Sequence, residues 1–183
     1  MNADLFKSLL KPYWESNSVN DFDDAAEKIA TAYHLSNIGN TQTFFGAKLI
    51  NGDKDTLQKF LSIGMTVNFI LKNKSNDITP GFRLMSLGFC LYWASAVFSP
   101  VPPLPPIIVS TFGVKIIFPG IPVGLDKGLK EAFDNTTIDS TLDSLCIALK
   151  LHLLTISGIY GGTVFVGTVP TPMILPWTSL LGT

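Results

Sequence analysis

LMSLGFCLYWASAVFSPVPPLPPIIVSTFGV, residues 84–114, runs from Arg83 to Lys115 without one charged side chain. An uncharged run of this length raises the question of a membrane span, and its prolines answer the simplest version. Pro100, Pro102, Pro103, Pro105 and Pro106 sit in its middle, which leaves a continuous helical part of about 16 to 19 residues against the roughly 20 that cross a bilayer. Proline-rich backbone also cannot satisfy its own polar groups in lipid. The first part, 84–97, therefore reads as a helix buried on most sides in protein. Its start is set by Thr79 as cap and Pro80 at the first helical position, where no donor is lost, and the pattern carries it to about Phe98.

Downstream, VPPLPP (101–106) reads as a polyproline spacer. PIIVSTF (106–112) and VKIIFPG (114–120) then read as two short strands around Gly113, fenced by Pro119 and Pro122. An isolated strand pair is marginal, so these should lie on helices or add to another chain's sheet. Gly124 leads into a short helix with Asp126 near its start. Asp139 or Ser140 opens a long helix to about Tyr160, with Leu142, Leu145, Cys146, Leu149, Leu153 and Ile156 on one apolar face. Gly158, Gly161 and Gly162 are read as its close. The remainder, 163–183, is apolar, contains Pro170, Pro172 and Pro176 and carries no charged side chain. Such a tail is expected to be an extended arm docked on other protein. Its partner-binding residues are read as Pro170, Pro172, Met173, Ile174, Leu175, Pro176 and Trp177, the last an anchor into a neighbouring subunit.

Upstream, residues 3–11 form a short helix that Pro12 should stop. Asn20 or Asp21 caps a helix to about Ser36, with Asp23, Asp24 and Glu27 in its first turns. Phe22, Ala25, Ala26, Ile29, Ala30 and Tyr33 form its apolar stripe. A second amphipathic helix over 55–71 buries Leu57, Phe60, Leu61, Gly64, Met65 and Asn68 or Phe69. Taken together, the pattern gives one domain over 1–183: a mainly α helical bundle with a short β-hairpin or extended Pro-rich segment and an extended C-terminal arm.

The composition sharpens this. Of 183 residues, 46% are hydrophobic and 15% charged, with a formal net charge of −1. Disorder and general nucleic-acid binding are excluded by those values. Residues 1–83 hold 18 of the 27 charges, nine of each sign, so the first half should meet water and the second protein or lipid. No secretory n-region precedes an apolar h-region near Met1, and Cys90 and Cys146 read as reduced, buried thiols, with a Cys90–Cys146 disulfide as the alternative.

No catalytic, cofactor or metal signature emerges. His34 and His152 have no partner at ligand spacing, and with Cys90 and Cys146 they are scattered along the chain. Ser110 and Ser157 lack the flanking glycines of a nucleophile elbow. GIYGGTVFVG follows a helix and has no GK[ST] ending, so it is not a phosphate cradle. Asp21, Asp23 and Asp24 are better caps than calcium ligands. VPPLPP has the PxxP spacing an SH3-type groove binds, but its apolar neighbours make it an internal spacer.

The order AAEKIATAYH (25–34), YW (92–93), PVPPLPP (100–106), IIFPGIPVG (116–124), HLLTISGIYGG (152–162) and PTPMILPW (170–177) resembles small virion structural proteins of contractile-tailed, T4-like bacteriophages. That resemblance implies a non-enzymatic tail or baseplate component, assembled in the host cytoplasm. Its partners would be other structural subunits, further copies of itself among them. It carries over no catalytic residues and no cofactor. The alternative is a membrane-active protein, a pore-former or holin-like chain, with 84–97 and 145–160 as an inserted helical pair. Lys150 and His152 oppose a lipid-facing second helix, since a charge at mid-depth costs at least about 2.5 kcal/mol.

Overall fold

Asp77, not Thr79, closes the start of the central helix. The computed structural model describes residues 1–16, 21–43, 46–74, 77–100, 109–166 and 169–182. In it the helices are α1 (Ala3–Glu15), α2 (Phe22–Asn37), α3 (Lys54–Lys72), α4 (Thr79–Ala94), α5 (Pro122–Phe133) and α6 (Ile138–Leu153). The strands are β1 (Thr41–Gln42), β2 (Leu49–Asn51), β3 (Val97–Phe98), β4 (Val109–Phe118), β5 (Ser157–Val166), β6 (Val169–Thr178) and β7 (Leu181–Gly182). Each helix packs on the next and α6 returns to α1. Among the described residues the chain is mainly helical, with three small antiparallel sheets.

At α4, Thr79 is already helical, and its N–H donates to Asp77 Oδ1 at 3.0 Å. Phe82, Met85, Phe89, Cys90, Tyr92 and Trp93 are all buried, so the helix, whose one charged residue is Arg83, is covered by protein on much of its surface. No helix among the described residues is long and apolar enough to cross a membrane. The helix stops at Ala94, short of the expected Phe98, because Val97 and Phe98 pair with Asn51 and Leu49 instead. β-branched and aromatic side chains favour that extended choice.

Close packing on α3 depends on missing side chains. A Cβ on Gly64 would fall 2.4 Å from Met85 Cγ and 2.6 Å from the Gly81 carbonyl oxygen. On Gly88 it would meet Phe60 Cβ at 2.6 Å. Phe69, one of the options for the buried face of α3, is instead 58% exposed and rests on Phe22, with ring centroids 5.7 Å apart. The stripe of α2 reaches the same centre through Tyr33. Its ring meets Phe89 edge-on at 4.9 Å and Tyr92 at 5.2 Å, and its hydroxyl accepts from Trp93 Nε1 at 2.8 Å.

Several sequence expectations are corrected. Pro12 lies inside α1, which continues to Glu15. Ser8, whose carbonyl loses its donor, and Pro12 itself are both exposed, so water can replace the missing bond. Residues 109–118 form one strand through Gly113 rather than two strands around it. Helix α6 ends at Leu153, seven residues before Tyr160, and the Thr155 hydroxyl donates to the His152 carbonyl there at 2.7 Å. The glycines expected to close the helix are strand residues of β5: a Cβ on Gly158 would fall 2.2 Å from the Lys115 carbonyl oxygen. The 163–183 segment is not a lone arm. Its described residues pair as β5 with β6 and as β7 with β1, in the sheets β4-β5-β6 and β1-β7. VPPLPP lies outside the described residues.

Gly64→Ala should lower stability by roughly 1–3 kcal/mol, although alanine is the better helix former, because the Gly81 backbone cannot move aside. Gly161→Ala, with no atom within 4 Å of the added Cβ, is the matched control. Urea unfolding midpoints of the two variants should differ accordingly.

Candidate functional site

The β4-β5-β6 sheet has one face on the helices and one in solvent, and the register sorts its side chains between them. Trp177 pairs with Gly158, Leu175 with Tyr160 and Met173 with Gly162, while Val114 and Ile116 occupy the same face of β4. Ile116, Tyr160 and Trp177 are buried there. The opposite face carries Lys115, Ile159, Pro172, Ile174 and Pro176. Ile174 is 67% exposed.

Toward the far end of β6 this alternation disappears. Residues 169–172 are exposed one after another, so both faces of this part of β6 meet solvent. Neither β5 nor β6 contains a charged residue, and Lys115 is the one charge of β4. An apolar strand end exposed on two faces has little to stabilise it alone.

The predicted partner-binding residues divide. Pro170, Pro172, Ile174 and Pro176 are exposed, whereas Met173 and Leu175 are half-buried on the inner face. Trp177 anchors this chain's own core rather than a neighbour's: it is 4% exposed, with ring centroids 6.4 Å from Phe98 and 6.2 Å from Tyr160. Sequence reading missed Val169, which is 60% exposed, and Thr171, both hidden by the absence of any alternation in 169–172.

The three prolines also share one parity along β6. Successive even positions direct their N–H groups to the same side of a strand, and the pairing with β5 is unbroken from Val166↔Val169 to Ser157↔Thr178. The missing donors therefore lie on the outer edge, where Ile174 and Thr178 are left to donate. Strand addition at that edge is blocked, a recognised defence against aggregation.

The candidate chemical groups are structural. Asp21 accepts from the Asp24 N–H at 2.9 Å as the α2 cap, Asp24 pairs with Lys28, and Asp23 accepts from the Ser62 hydroxyl. His34 Nδ1 lies 3.1 Å from the Tyr92 hydroxyl. Cys90 and Cys146 are free and buried, and burial pushes both thiols up to about 11. Among the described residues, no group of three or more His, Cys, Asp or Glu side chains could hold a metal ion.

His152 is the one buried histidine, 3% exposed under Gly120, and neither ring nitrogen has a hydrogen-bond partner of good geometry. Burial pushes it down to about 4, with the Ile121 backbone opposing. The unfolded chain then holds the extra proton between about pH 4 and 6.5, so stability is complete above 6.5 and falls with pH across that window. The displacement corresponds to roughly 3 kcal/mol. His152→Leu should flatten this part of the profile, measured as the difference in urea stability between variant and parent at each pH. No protein-family model, curated protein or solved structure matches the chain.

Proposed function

We propose that this chain is a non-enzymatic structural subunit of a large assembly, a virion tail or baseplate component, which docks on other subunits through the exposed end of its uncharged strand β6. One observation carries the reading: residues 169–172 are exposed on both faces of a strand that holds apolar side chains and no charge. The order of segments that resembles T4-like virion proteins supports it from the sequence side. In this reading the helices form a bundle that supports the sheet, and the sheet is the part that a neighbour covers. At roughly 25 cal/mol per Å² of apolar surface, covering several hundred Å² gives a durable contact. The prolines on the outer edge of β6 turn docking from edge-on pairing to contact through the sheet's faces.

Deleting 169–183 is a poor test, since it removes Trp177 and Leu180 from the core. Val169→Asp combined with Ile174→Asp instead places one charge on each of the two exposed faces of β6. The double variant should keep parental helicity and a thermal midpoint within a few degrees, yet fail to co-sediment with purified particles. Incorporation at the parental level would overturn the docking role.

A further inference from the structure

His152 lies near the end of α6 under residues 119–124, PGIPVG, the strap that carries the chain from β4 into α5. Its ring edge is pressed against Gly120, where a Cβ would fall 2.3 Å from Cε1 and 2.9 and 3.0 Å from Nε2 and Nδ1. Both nitrogens are shut off from water without a hydrogen-bond partner of good geometry among the described residues. A neutral imidazole can stay in such a place, whereas an imidazolium has two donors to satisfy and needs acceptors or solvent. With the strap down, the Ile121 backbone is the one group that opposes the effect of burial.

The strap has pivots and few holds. Gly120 and Gly124 carry φ of +98° and +103°, a region open to glycine, and Val123 between them is also non-helical. Ile121 and Val123 are 46% and 75% exposed, so lifting the segment forfeits little apolar burial. Over His152 the Ile121 N–H donates to Thr155 Oγ1 at 3.3 Å, and the Gly120 carbonyl accepts from the Cys90 thiol at 3.7 Å, a weak contact. The far end is held more firmly, with the Gly124 N–H on Asp126 Oδ1 at 2.9 Å. Surrounding charges do not compensate a proton on the ring. Lys127 and Glu131 of α5 pair with each other at 3.8 Å, Arg83 of α4 pairs with Asp126, and Lys115 of β4 and Lys150 of α6 are exposed. The Cys90 thiol, pushed up to about 11 by burial, stays neutral.

We propose that residues 119–124 are an acid-released strap: a proton on His152 lifts them from the end of α6, about Gly120 and Gly124, while α4 and α6 stay folded. The direction follows from linkage. The closed form keeps His152 neutral down to about pH 4, the open form lets it titrate near 6.5, and acid therefore favours opening. This device is independent of the docking role assigned to β6, and its test does not involve particles.

Amide exchange of the full chain, followed by NMR between pH 6.5 and 4.5 and corrected for the intrinsic effect of pH on exchange, reads the opening at the Ile121 N–H. Protection there should fall by about fortyfold over this range. Low urea should speed exchange in the interiors of α4 and α6 yet leave Ile121 nearly unaffected, as expected of a local opening. In His152→Leu the change with pH at Ile121 should vanish. The Met1 amino group, bonded to Thr41 Oγ1 and pushed down to about 5 by burial and by Lys150, titrates in the same range but is common to parent and variant. A pH response that persists in His152→Leu, or an Ile121 amide that shares the urea dependence of α4 and α6, would overturn the proposal. If the leucine variant does not fold, the parent's own His152 ring protons decide: their titration midpoint should lie well below 6.5, and a midpoint at 6.5 would sink the idea.

Discussion

The hydrogen bond from Trp93 to Tyr33 sits where the largest side chains of α2 and α4 meet, and much of the packing follows from it. A helix with no charge after Arg83 needs cover on most sides, but a buried indole N–H left alone would cost about 1–3 kcal/mol. Tyr33 supplies both the acceptor and an aromatic surface for Phe89 and Tyr92. Gly52 lies so close to the Tyr92 ring that a Cβ would fall 2.4 Å from it, which brings the start of α3 onto the same cluster. From Trp93 the ring contacts continue to Phe98 and then Trp177, so the helical core and the C-terminal sheet share one apolar interior.

Elements governed by local chemistry were legible in the sequence. Asp21 caps α2 as its position implied, an amphipathic helix covers 55–71 as its pattern implied, and Gly124, with φ of +103°, bends the chain within α5 just ahead of Asp126. Elements decided by distant partners were not. Val97 and Phe98 leave α4 for a strand set by residues 49–51, and Gly158 belongs to a strand because Lys115 and Trp177 occupy the space a side chain would take. Pro12 was misread for a related reason: its local penalty is real, but exposure to water makes it small enough for the packing of Trp14 on Phe133 to prevail.

The candidate site was legible only as chemistry. Uncharged composition and repeated prolines mark 163–183 as unusual, yet which side chains point outward depends on the register with β5. Pro170, Pro172, Ile174 and Pro176 share the outer face, while Trp177 turns inward. No periodicity in the sequence separates these two groups, because both are apolar.

The uneven charge distribution resolves along the same lines. Charges of the first half serve partly in local roles, as the caps Asp21 and Asp53 and the pair Asp24–Lys28, and partly in ion pairs with the second half, Lys7 with Asp143, Lys11 with Asp139 and Arg83 with Asp126. Those of the second half, Lys115 of β4 apart, gather on α5, α6 and the loop between them, and β5 and β6 receive none. A sheet so uncharged would invite indiscriminate strand pairing were its edge open. Three prolines of equal parity remove donors from the outer edge of β6 without disturbing the ladder to β5, which separates two properties that usually travel together. The faces stay apolar and available for docking, while the backbone at that edge offers little for another strand to bind. Selective contact through faces, rather than growth through edges, is then a consequence of where the prolines fall.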